Sequence, residues 1–96
     1  MMRPAKKADK LTDLPNIGAT TAGKLEKIGI KGKKDFLRRD PYKVYQRLLK
    51  EVDPTLCRCA LASIVGAKTG EPWHKITKRT AAEYKKRHPR HTWGPC

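Results

Sequence analysis

The stretch CALASIVGA, residues 59–67, is apolar nearly all round, and this constrains the fold more than any other feature. A helix without a polar face cannot lie on a surface, so other helices must surround it. Pro and Gly divide the flanking sequence into short pieces whose apolar residues recur at helical spacing. No segment alternates as a half-buried strand would, and no repeat of solenoid length appears. In 96 residues such pieces make one modest core and one domain. The expected fold is all-α, a compact bundle of about five or six short helices.

Residues 1–7 read as a basic arm, because they offer no periodic apolar residue to hold them against a core. The domain is expected over 8–87, with order beginning near Ala8, and 88–96 reads as a tail. Leu11 and Leu14 form a short helical stripe that ends at Pro15. A second helix fits 19–28 and closes at Gly29, and a third fits 33–39 with Phe36 and Leu37. Asp40-Pro41 has the form of an N-cap followed by proline at the first helical position. It starts a helix over 41–51, with Tyr42, Val44, Tyr45, Leu48 and Leu49 at helical spacing. Asp53-Pro54 repeats the signal and predicts the start of the apolar helix, which Gly70 and Pro72 end. Thr77 is expected to cap a last helix over 78–87, and Trp73 reads as a cap on the core rather than a base-stacking platform, because one aromatic does not make a stacking surface.

Lys and Arg number 23 against 9 Asp and Glu, a formal charge of +14. Solubility asks only about 2 to 8 units of a small domain, so an anionic partner is expected. The N-terminus leads into no apolar signal region, and no run approaches the ~18 apolar residues of a membrane span. A cytoplasmic protein without membrane attachment is expected. Cys57, Cys59 and Cys96 do not make a disulfide framework. Cys96, the last residue, could cross-link chains on oxidation. On a helix, Cys57 and Cys59 would point about 200° apart and could not share a metal. They read as half-buried apolar residues, and no metal or cofactor is expected. Neither paired carboxylates nor a Ser-His-Asp or Cys-His arrangement stands out, so the chain reads as a binding protein, not an enzyme.

The segment LPNIGATTAGKLEKIGI, residues 14–30, carries the anion-binding chemistry. Asn16 is one of the few residues besides glycine that tolerate positive φ; Ile17 can tuck between helices, and Gly18 lets another backbone or a phosphate come close. The next helix would present its first amides and its positive dipole end outward. Thr20 and Thr21 add hydroxyls; Lys24 and Lys27 add charge. Every element suits phosphate and none reads a base edge. Candidate contacts are therefore Asn16, Ile17, Gly18, Thr20, Thr21, Lys24 and Lys27. Lys31, Lys33, Lys34, Arg38 and Arg39 could continue this face, and Lys75, Lys78, Arg79, Lys85, Lys86 and Arg87 form a second basic cluster.

This segment resembles a helix-hairpin-helix motif, which implies a SAM-domain-like bundle binding duplex DNA through hairpin amides, largely without sequence preference. Together with RDPYKVYQRL, DPTLCRCAL and EPWHKITKR, it resembles the small pathogenicity-locus proteins often labelled mitomycin resistance proteins. More distantly, the chain is similar to the C-terminal domain of TfoX-type competence regulators. Asn16 stands where the motif has its first glycine, Thr20 where a basic residue is common, and VDPTL where a second Gly-rich hairpin would be. These departures imply modest affinity. The resemblance implies a role in DNA repair, drug-damage resistance or competence. The alternatives are a protein-interaction or regulatory module of a DNA-processing complex, a homodimer, or a binder of structured RNA.

Overall fold

The computed structural model describes residues 10–93. A 3₁₀ turn, Leu11–Asp13, precedes five helices: α1 (Ala19–Lys27), α2 (Lys33–Leu37), α3 (Pro41–Glu51), α4 (Arg58–Thr69) and α5 (Trp73–Arg87). No strand occurs among the described residues. The all-α bundle expected from the periodicity is the fold.

The apolar stretch is at its centre. Leu61, Ala62, Ile64, Val65, Gly66 and Ala67 of α4 are buried, with α5 packed along one side and α3 across another. The helix stops at Gly70, whose φ of 85° only glycine adopts freely. Asp40 caps α3 as expected: its carboxylate accepts the Tyr42 N–H at 2.9 Å, and Pro41 takes the first helical position. Val44, Tyr45 and Leu48 then face inward. α1 contributes Ala22 and Leu25, and α2 contributes Phe36.

Four local expectations are corrected. The segment before Pro15 forms a single 3₁₀ turn, not a helix. Asp53-Pro54 does not start α4. Asp53 turns back to accept the Thr55 amide at 2.9 Å and the Thr55 hydroxyl, and the helix begins four residues beyond Pro54 with Cys57 as N-cap. α5 begins at Trp73, earlier than expected, with Pro72 as N-cap. Thr77 lies inside it, and its hydroxyl donates to the Trp73 carbonyl at 2.8 Å. Finally, Trp73 is 40% exposed, while Trp93, in the segment read as a tail, packs against the core. The Trp93 indole N–H donates to the Tyr45 hydroxyl at 2.9 Å. That hydroxyl also lies 2.9 Å from the Leu56 carbonyl and 3.1 Å from that of Cys57. The segment read as a tail therefore folds back on α3 and α5 as far as Trp93, with His91 edge-on to Tyr84, ring centroids 5.0 Å apart. The expected basic arm, the start of order at Ala8 and Cys96 lie outside the described residues.

Candidate nucleic-acid interface

Residues 14–18 make a tight turn in front of α1. Leu11, Leu14 and Ile17 are buried and anchor it from beneath. Ile17 thus serves the core and offers no outward contact. Asn16 has φ 67°, the left-handed conformation its side chain tolerates. That side chain also ties the turn to a distant segment: Nδ2 donates to the Glu71 carbonyl, 55 residues on, at 2.9 Å. Gly66 makes room for the contact, since a Cβ there would collide with both the Glu71 oxygen and the Asn16 amide. The turn is therefore fixed to the corner between α4 and α5.

Gly18 is the N-cap of α1, with φ −95°. A Cβ on it would meet nothing within 4 Å, so neither backbone nor packing inside the protein requires glycine. It brings no capping side chain, and the first helical bond runs from Ala22 N–H to Gly18 O at 2.9 Å. The amides of Ala19, Thr20 and Thr21 thus precede the helical ladder. Ala19 and Thr20 are exposed and Thr21 half-buried, so these donors and the positive dipole end face outward, where an anion is stabilised.

Lys24 is placed differently from the expectation that it reaches the same anion. Its Nζ donates to Asp53 at 2.6 Å, and the two side chains are only 27% and 23% exposed. Asp53 is held well below the usual carboxylate range, first by this lysine and then by the Thr55 hydroxyl and amide. Lys27, one turn further on, is exposed. Thr20, Gly23 and Lys27 share the outward stripe of α1, at i, i+3 and i+7. Gly23 was not among the expected contacts, yet a Cβ on it would meet nothing within 4 Å. A glycine inside a helix is destabilising, and this one has no packing reason. That mismatch was the available signal.

The wider basic face is partly committed elsewhere. Arg38 and Arg39 pair with Asp35 at 3.5 and 3.1 Å. On α5, Arg79 pairs with Glu71 at 2.6 Å. Arg87 pairs with Asp40 and Glu83 at 3.0 and 3.1 Å, and it also covers the Tyr42 ring at 4.3 Å. Lys85 donates to the His91 carbonyl. Lys31, Lys75, Lys78 and Lys86 are exposed. Cys57 and Cys59 are half-buried cysteines, and no group of three or more His, Cys, Asp or Glu that could hold a metal occurs among the described residues. No helix among them is long and apolar enough to cross a membrane.

The sequence matches the model of the Cdd1, pathogenicity locus, family over residues 4–82. No curated protein matches it. The fold is similar to the crystal structure, in a triclinic form, of an uncharacterized protein from Listeria monocytogenes. That similarity has a TM-score of 0.70 at 24% identity, over 85% of this chain and 97% of that one. At that identity the likeness speaks for the fold alone.

Proposed function

From its membership of the pathogenicity locus family and the geometry in front of α1, we propose that this chain binds the backbone of duplex DNA without sequence preference. The observation that carries the reading is the outward start of α1. Free amides at Ala19, Thr20 and Thr21 follow a glycine that nothing inside the protein requires. The turn resembles a helix-hairpin-helix, with Asn16 in the left-handed position. In this reading the amides and the Thr20 hydroxyl hold one phosphate, Gly18 and Gly23 let the strand approach, and Lys27 neutralises a neighbour. Asn16 and Ile17 shape the turn, and Lys24 sits behind it on Asp53. The charge of +14 steers the encounter. The cellular role we attach to this activity is DNA repair, drug-damage resistance or competence, in the cytoplasm.

The test is anisotropy of a labelled duplex titrated with protein across a salt series. Log K should fall linearly with log salt, by about 0.9 per phosphate neutralised, and scrambling the duplex sequence should change little. A salt-independent response would refute phosphate binding and point to a protein partner. Tighter binding to a structured RNA than to any duplex would assign the surface to RNA.

A further inference from the structure

Trp73 is the one aromatic expected in the core that the fold leaves outside it, at 40% exposure, although burying an indole is strongly favourable. Its position gives that exposure a meaning. Trp73 follows Glu71 by two residues, so the two Cα atoms lie at most about 7 Å apart, and the Glu71 carbonyl holds the Asn16 side chain of the phosphate-binding turn. Helical side chains lean toward the helix N-terminus. As the first residue of α5, Trp73 starts its helix at the same corner that fixes the turn.

The surroundings suit a nucleotide. The His74 ring meets the indole edge to face, with centroids 5.8 Å apart and an interplanar angle of 86°. Thr77 fastens the first turn of α5 through the Trp73 carbonyl. Glu71, the acid of this corner, is neutralised by two contacts from Arg79 at 3.2 and 2.6 Å, so it does not repel a phosphodiester.

We infer that Trp73 is a stacking platform for an unpaired base beside the phosphate-binding turn, so that the preferred ligand is duplex DNA interrupted by an end, an overhang or a gap. An intact duplex hides every base face in its own stack, whereas an interruption exposes one. The inference rests on the proposed phosphate contact and adds to it the class of DNA structure bound.

The experiment compares two labelled DNAs of equal length: a duplex closed at both ends by loops linked through an abasic spacer, and a duplex with a short single-stranded overhang. Base stacking on an aromatic is worth about 1–3 kcal/mol per base, or roughly 5- to 150-fold in affinity. The wild-type protein should prefer the overhang by a factor in that range, with quenching of tryptophan emission. Trp73→Leu should lose the preference and keep its affinity for the closed duplex, and Trp73→Phe should retain much of it. The indole is 40% exposed and the rest of it is packed, so Trp73→Leu should lower the melting temperature more than Trp73→Phe, with both variants folded at the assay temperature. Equal wild-type affinity for the two DNAs, or a preference surviving Trp73→Leu, would overturn the stacking role and leave the phosphate site standing. Failure to bind the closed duplex even at low salt would overturn the phosphate reading instead.

Discussion

Replacing Gly23 by alanine should make this protein more stable and a weaker binder at once. Gly23 lies in the middle of α1, outside the positive-φ glycines, which are Gly29 and Gly70. A Cβ there would have open space. Alanine should therefore gain the full helix-interior difference of roughly 0.5–1 kcal/mol, mainly by reducing the freedom of the unfolded chain. For a domain of this size, that corresponds to a rise of about 2–8 °C in Tm. The same methyl would stand between Thr20 and Lys27 on the outward stripe, where the proposed phosphate backbone lies against the helix. Displacing one charge-assisted hydrogen bond costs about 1.5–3 kcal/mol, so duplex affinity should fall by about tenfold or more. Thermal melting followed by circular dichroism gives the first quantity and duplex anisotropy the second. A lower Tm would refute the account of open space around Gly23. A higher Tm with unchanged affinity would show that the outer face of α1 is not where DNA lies.

Two other substitutions test the frame around the site. Asp53→Asn keeps an oxygen for Thr55 but frees Lys24, so duplex affinity should rise and the slope of log K against log salt should steepen by about 0.9, one extra phosphate. The same variant should flatten the acid limb of stability. With its pKa depressed in the fold, Asp53 contributes above its unfolded value of about 3.9, and that contribution disappears as pH falls through the folded value. Wild-type Tm should therefore drop more steeply than that of Asp53→Asn below about pH 4, as melting across an acid series would record. Tyr45→Phe removes the hydroxyl that meets Trp93, Leu56 and Cys57 and leaves the indole N–H without its acceptor. Denaturant unfolding should show a loss of about 1–3 kcal/mol, with far-UV circular dichroism unchanged.

Much of the fold was legible because it depends on short-range chemistry. Asp40-Pro41 starts α3 as expected, for a carboxylate two residues before a free amide needs no distant help. Gly70 ends α4 because its φ is 85°. Asp53-Pro54 has the same letters and the same local bond, from the Thr55 amide to Asp53, yet the next helix begins only at Arg58. The bond closes one turn in both places, and a local signal cannot say whether a helix continues from it. The tryptophans make the same point: Trp93 is half-buried and its indole donates to the Tyr45 hydroxyl on α3, an acceptor that no pattern around the residue reveals.

At the candidate site, the polar groups that looked most suited to an anion are those the fold uses internally. Asn16 stands out in the sequence for its φ, and its side chain also spans to Glu71; Lys24 has the charge and spacing of a phosphate ligand and is held by Asp53. Both bonds join the turn to segments far along the chain, and they hold it in place while leaving the start of α1 uncovered. The outward surface is then made of what carries little chemistry of its own: helix amides, Gly18, Thr20, Gly23 and Lys27. Sequence reasoning favours residues with conspicuous side chains, but a polyanion approaching a helix end needs donors and space, and the space is supplied by two glycines whose missing Cβ atoms would touch nothing in the protein.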